Sequence, residues 1–174
     1  MTSDIRIRRV IAPSAADIAG LAEVLVDCVE GGASVSFMLP LTRERAAEFW
    51  RRVAAEVAHG RRLLLVAEDD IGIVGTVQLI VDLPENQPHR ADLAKMLVHR
   101  RVRRRGVGAA LVRAAEDWAR EAGRTVLVLD TVTGGDGERL YARLGWKLAG
   151  VVPDYALFPA GGFCATSFYY RQLA

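Results

Sequence analysis

The stretch His99-Arg100-Arg101-Val102-Arg103-Arg104-Arg105-Gly106-Val107-Gly108 packs five arginines and two glycines into ten residues. It follows the apolar run Ala94-Lys95-Met96-Leu97-Val98 and opens a helical pattern, so its order is strand, basic glycine loop, helix. Gly106 and Gly108 lack side chains and let a bound group approach the backbone, and the loop can turn its amide hydrogens toward one point. A helix start adds unpaired amides and the positive end of its dipole, and arginines hold phosphate through forked hydrogen bonds. Such donors suit a pyrophosphate. Glycine before a helix also serves as a plain turn and an arginine run as a solvated surface, so the loop alone leaves those readings open. The Gly-Lys-Ser/Thr ending of Walker-type loops is missing, as is the three-glycine spacing of dinucleotide folds.

The elements that must position this loop follow from apolar spacing. Ile5 to Ile11 alternates as a first strand, and Pro13-Ser14 starts a helix through Ile18, Leu21, Leu25 and Val29 that Gly31 and Gly32 stop. Thr42 caps a second helix with Ala46, Phe49, Trp50, Val53 and Val57 on one face, ended by His59-Gly60. Leu63 to Ala67 and Ile71 to Val81 read as antiparallel strands joined by the acidic turn Glu68-Asp69-Asp70. Ala91 to Val98 is a fourth strand. The helix near Gly106 places Val107, Leu111, Ala115, Trp118 and Ala122 on its buried side and ends at Gly123. Val126 to Leu129 is apolar throughout, as expected of an interior parallel strand whose crossover is the preceding helix. A short helix from Gly137 to Leu144 follows. Strands Trp146 to Val152 and Cys164 to Leu173 come last, separated by the turn-rich stretch Pro153 to Gly162. No repeat or linker interrupts residues 1–174, which read as one domain of mixed α/β class.

A chain of 174 residues is the size of one domain, and such a fold buries roughly 70% of its unfolded surface. With 51% hydrophobic and 25% charged residues the composition is globular. Cys28 and Cys164 are far apart and form no metal or redox spacing, and the three histidines are scattered, so no metal site is expected. The charged start MTSDIRIRRV lacks the apolar stretch of a signal peptide, and no run approaches a bilayer span, which sets a cytoplasmic expectation without membrane contact. A net charge of +2 is small for a nucleic-acid binder, so none is expected, although a short arginine run can grip a phosphate backbone.

The pattern Arg103-x-x-Gly106-x-Gly108, after a strand and opening a long helix, resembles the acetyl-coenzyme A pyrophosphate loop of the GNAT acetyltransferase superfamily. Leu140-Tyr141-Ala142-Arg143-Leu144-Gly145-Trp146 is similar to the aromatic segment after the fifth strand of those enzymes. Three further pieces resemble the tabtoxin-resistance group of that superfamily: Gly31-Gly32-Ala33-Ser34-Val35-Ser36-Phe37-Met38, Leu129-Asp130-Thr131 and Pro153-Asp154-Tyr155. The resemblance implies a GNAT fold with a mixed, mostly antiparallel sheet whose parallel fourth and fifth strands splay apart. It implies acetyl-CoA as cofactor, held by Met96, Leu97 and Val98 along the fourth strand and by Arg103, Arg104, Arg105, Gly106, Val107, Gly108 and Ala109 at the loop.

The reaction so implied is direct attack by a small-molecule amine on the thioester, for instance an amino-acid-like or β-lactam antimetabolite. A backbone amide near Leu97 or Val98 would polarise the thioester carbonyl. The amine must lose a proton, which calls for a carboxylate or a water held by one; Asp130, at the strand's carboxyl edge, comes before Asp92 as the candidate. Tyr141 is implied as the acid that protonates the leaving thiolate, a phenol near pKa 10 matching a thiol near 8.5. Ser34, Phe37, Met38, Asp92, Asp130 and Tyr155 are the expected acceptor contacts, and a homodimer is the family expectation. Acetylation of protein N-termini, lysines or polyamines, and acyl-CoA binding without turnover, remain alternatives at this stage.

Overall fold

The computed structural model describes residues 4–173; Met1 to Ser3, part of the charged start read above, and Ala174 lie outside the described residues. In chain order the elements are β1 (Arg6–Val10), α1 (Ala15–Glu30), α2 (Arg43–Ala58), β2 (Arg62–Glu68), β3 (Ile73–Ile80), β4 (Arg90–Val98), α3 (Val107–Glu121), β5 (Val126–Val132), α4 (Asp136–Arg143), β6 (Lys147–Leu157) and β7 (Phe163–Gln172), with one 3-10 turn at Arg100–Val102. The strands form one seven-stranded sheet in the order β1-β2-β3-β4-β5-β7-β6. Only the β4–β5 pair is parallel, and α3 is the crossover between them. This is a mixed, mostly antiparallel α/β sheet of the kind expected from the sequence.

Local chemistry starts the helices. The Ser14 hydroxyl accepts from the Asp17 amide at 3.1 Å while the Asp17 carboxylate accepts from the Ser14 amide at 2.8 Å, a reciprocal capping box. Thr42 caps α2 by accepting from the Arg45 amide at 3.2 Å. Two apolar cores then sandwich the sheet. Leu21, Leu25, Trp50 and Val53 of α1 and α2 meet Leu64, Val66 and Leu97 on one face, and Leu111, Val112 and Ala115 of α3 meet Leu65, Val77, Leu93 and Leu127 on the other. No described helix is long and apolar enough to cross a membrane.

Several boundaries differ from the sequence-based expectation. Pro153-Asp154-Tyr155 does not end β6 but forms a bulge inside it: Val152 pairs with Thr166 and Ala156 with Cys164, so three residues oppose one, with Asp154 at φ 50. An edge strand tolerates this because only one side of its backbone is paired. β5 runs on through Asp130 and Thr131 to Val132, so Asp130 lies inside the strand rather than at its end. Ile71 sits in the turn, and β3 begins at Ile73. Ala122, just past the end of α3, is exposed, and Trp118 within it is half-buried beneath the Arg9 guanidinium, 4.9 Å from the ring centroid.

Candidate active site

β4 and β5 pair only at Arg90–Val126, Ala91–Leu127 and Asp92–Val128. Beyond that point the two strands run to Val98 and Val132 without pairing. The cause is a bulge in β4: Thr76 pairs with Leu97 and Gln78 with Ala94, leaving Lys95 and Met96 opposite Val77 alone. An unbroken strand would put Leu93 and Leu97 on one face, yet Leu93 packs under α3 and Leu97 under α1 and α2. Lys95, at φ 50, stands at the kink. With a partner only on the β3 side, alternate backbone amides of Met96 to Val98 face the gap.

The basic loop leaves β4 at the end of that gap. Gly106 at φ 80 precedes α3, and no side chain caps its first turn, so the amides there have no partner of the usual kind. Arg104, at φ 62, is also left-handed. Arg100 and Arg101 hold the loop to α1 and to the β2–β3 turn. Asp27 of α1 accepts from the Arg100 amide and guanidinium, and Asp69 of the β2–β3 turn accepts from both terminal nitrogens of Arg101. Arg103 turns its Nε to the Val98 carbonyl at 3.2 Å. The exposed run Arg103 to Gly106 surrounds the uncapped helix start. A β-carbon at Gly108 would stand 3.1 Å from Leu140 and 3.6 Å from the Met96 sulfur, so this first turn lies close against α4 and β4.

Strand register fixes what faces the gap. On the α1–α2 face, Arg62, Ile80, Asp92 and Val128 form one row across β2 to β5. The next row carries Leu64, Gln78 and Ala94 on one side of the gap and Asp130 with Phe168 on the other. Asp130 is exposed toward the crevice, yet desolvation by the surrounding protein pushes its carboxyl above the ordinary value, the Lys95 charge pulls it partly back, and Asp92 pushes it up again. Asp92 is tied to the Arg90 guanidinium. Tyr141 approaches from the opposite side on α4, only 5% exposed, its ring 5.6 Å from Trp146 and 6.5 Å from Tyr169. Burial raises its pKa far above that of free tyrosine, and the Asp130 charge raises it further. The phenol therefore stays protonated.

The segment between α1 and α2 bridges the crevice. Ser34 donates to the Leu157 carbonyl at 2.7 Å, the Leu39 amide donates to the Pro159 carbonyl at 2.9 Å, and Phe37 packs edge-on against Phe49 at 5.3 Å. Ser34 thus has its hydroxyl proton committed as a clasp to β6. Met38 is exposed, and Tyr155 stands edge-on to Phe168 at 5.5 Å, above the row that holds Asp130. Lys95, Ser36, Arg62 and Phe168 were not singled out from sequence. A lysine within the apolar run Leu93 to Val98, one of two in the chain, was the available signal for Lys95; Arg62 and Phe168 needed the register. Among the described residues no cluster of His, Cys, Asp or Glu could hold a metal ion, and both cysteines are free and buried.

The pattern that defines the acetyltransferase (GNAT) family matches residues 33–146. An uncharacterized N-acetyltransferase from the hisH-hisA intergenic region of Azospirillum brasilense is 29% identical over 130 residues, covering 74% of this chain and 76% of that protein. Among solved structures, an N-acetyltransferase from Staphylococcus aureus Mu50 superposes with a TM-score of 0.81 at 16% identity, over 99% of this chain and 100% of the other. The Salmonella typhimurium protein yncA, solved with its cofactor acetyl-CoA, gives 0.79 at 20% identity over 98% and 94%.

Proposed function

Because the chain belongs to the acetyltransferase (GNAT) family and so uses acetyl-CoA, we propose that it transfers the acetyl group to the primary amine of a small molecule, with Asp130 as base and Tyr141 as acid. The observation that carries this reading is the parted sheet: a carboxylate raised by desolvation stands on one face of the β4–β5 gap and a buried phenol approaches from the other.

The residues fit the cofactor. The uncapped start of α3, the left-handed turns at Arg104 and Gly106 and the lack of a side chain at Gly108 suit a diphosphate held by backbone amides. Arg103, Arg104 and Arg105 lie around that point, with Val107 and Ala109 in the same first turn. Met96, Leu97 and Val98 offer the unpaired strand edge along which an extended pantetheine arm can pair. Bound there, acetyl-CoA supplies an activated thioester. Asp130, directly or through a water, takes the proton from the attacking amine, and its raised pKa makes it a stronger base than an ordinary aspartate. A gap-facing amide of β4 donates to the oxygen that gains charge as the amine adds. Tyr141 donates its proton to the departing sulfur. Asp92, neutralised by Arg90, shapes the acceptor side rather than acting as base.

We place the acceptor between Phe37 and Met38 of the α1–α2 segment and Tyr155 with Phe168 of β6 and β7. We place the enzyme with the tabtoxin-resistance group, acting in the cytoplasm on an amino-acid-like antimetabolite and thereby detoxifying it. The test is release of free coenzyme A with amino acids, aminoglycosides, polyamines and peptides, alongside calorimetric titration with acetyl-CoA. Turnover with small amino-acid-like amines supports the reading, and turnover confined to peptides or polyamines rejects it.

A further inference from the structure

The α1–α2 face of the crevice holds more hydrogen-bond donors and positive charge than its own carboxylates take up. Lys95 donates from Nζ to the Ser36 hydroxyl at 3.1 Å and stands 5.8 Å above the Phe49 ring, with no carboxylate at ion-pair distance among the described residues. Arg62 gives one terminal nitrogen to Gln78 Oε1 at 2.8 Å. Its Nε and the Gln78 Nε2 are both buried and have no acceptor. Buried donors are nearly always satisfied, so unspent ones mark a place where an acceptor is missing. Asp92 cannot supply it, being tied to Arg90.

Asp130 also lies on this face. It is near enough for its charge and that of Lys95 to act on each other, yet the two form no ion pair. The bulge that parts β4 from β5 is also what turns Lys95 into the crevice. Burial and the neighbouring Arg62 both disfavour the Lys95 ammonium, and Asp130 only partly compensates. An anion placed beside Lys95 would relieve that cost.

We propose that the acceptor is a zwitterion whose carboxylate docks against the Lys95 ammonium, with Arg62 beside it, while its amine lies toward Asp130. This rests on the acetyltransferase reading and narrows its substrate to amines that carry a carboxylate close by, as α-amino acids do. Charges then alternate along the crevice: Lys95 ammonium, ligand carboxylate, ligand amine, Asp130 carboxylate. A polyamine, by contrast, would meet Lys95 and Arg62 with like charge and is selected against. Lys95 and Arg62 are thus specificity-determining residues.

The experiment measures kcat and KM from coenzyme A release for sets of acceptors that share a side chain: the free L-amino acid, its primary amide and its decarboxylated amine. The wild type is compared with Lys95→Met, Lys95→Arg and Arg62→Met, and acetyl-CoA affinity is taken from calorimetry on each. In the wild type the acid is expected to be favoured over its amide at least tenfold in kcat/KM. A charge-assisted contact of this kind predicts that Lys95→Met lowers the acid-to-amide ratio roughly 10- to 100-fold through KM. Lys95→Arg keeps most of the ratio, Arg62→Met reduces it less, and acetyl-CoA binding stays within about twofold. Equal use of acid and amide by the wild type overturns the proposal. So does a Lys95→Met variant that binds acetyl-CoA normally and loses activity equally on acid, amide and amine. Absence of acetyl-CoA binding together with absence of release from every amine would instead sink the acetyltransferase reading beneath it.

Discussion

Asp27 of α1 accepts two hydrogen bonds from Arg100, one from the backbone amide and one from the guanidinium Nε, both at 2.8 Å. The first helix is thereby fastened to the basic loop between β4 and α3, and His99 lies 3.5 Å from the same carboxylate. Burial alone would push the Asp27 carboxyl up, but the Arg100 amide and guanidinium outweigh it and hold the pKa below the ordinary value. Asp27→Ala is expected to weaken acetyl-CoA binding about tenfold, with kcat changing less, because the loop loses its anchor while Asp130 and Tyr141 stay in place. Calorimetry with acetyl-CoA beside steady-state kinetics checks this, and an unchanged Kd would show that the loop holds its shape unaided.

The second anchor sets a stability prediction. Asp69 accepts from Arg101 and from the Ile71 and Gly72 amides, and the Arg101 contact leads in holding its carboxyl down to about 2. A carboxylate whose folded pKa is depressed adds stability above its unfolded value, near 4, and that stability is lost as pH falls through the folded value. Thermal unfolding should therefore show Tm falling between about pH 4 and 2. Asp69→Asn should lower Tm at pH 7 and flatten that descent, and an equally steep descent in the variant would assign it to other carboxylates.

Gly106 stands at φ 80 with nothing within 4 Å of where a β-carbon would lie. Gly106→Ala meets no clash, so its cost is conformational, about 1 kcal/mol for a left-handed non-glycine residue. For a chain of this size that is a fall of roughly 2–4 °C in Tm. Acetyl-CoA affinity should fall severalfold as the loop relaxes away from the left-handed turn. A variant with native Tm and native affinity would show that the turn is not required.

How far the sequence already disclosed this depends on how local each feature is. The helices and most strands were readable because Leu21, Leu25, Trp50 and Leu111 recur at helical spacing and Ser14 and Thr42 cap in place. The loop Arg103 to Gly108 was readable because glycine and arginine act through local backbone and charge. The β6 bulge was not, since Pro153 and Asp154 signal a turn equally well when the chain goes straight on. Lys95 was missed for a related reason: its direction is set by the kink in β4 against β3, a pairing between distant segments. The five closely spaced arginines look alike in sequence, and it is the positions of Asp27 and Asp69 that make braces of Arg100 and Arg101.

Tyr141→Phe removes one oxygen from a side chain that packs against Trp146 and Tyr169. The ring stays, so Tm should change little. Loss of a positioned acid predicts a fall in kcat of roughly 100-fold or more with acetyl-CoA affinity within about twofold. The loss should persist across the whole working pH range, because burial keeps the wild-type phenol protonated throughout it. A variant with wild-type kcat would remove Tyr141 from the proton path.

As the proposed base, Asp130 should affect activity and stability with opposite signs. Desolvation raises its pKa above the ordinary value, so in the folded protein the charged form is disfavoured relative to the unfolded chain. A group shifted upward in this way favours folding at low pH and costs stability once pH rises far enough to ionise it. Asp130→Asn removes the charge and keeps the shape. Its Tm at pH 7 should equal or exceed that of the wild type, while kcat/KM falls roughly 100-fold for want of a base. In the wild type the acidic limb of kcat/KM should bend at a pH above that of an ordinary aspartate, and in the variant that limb should vanish. A variant that is less stable, yet retains both the rate and the acidic limb, would mean that Asp130 braces β5 and that another group takes the proton.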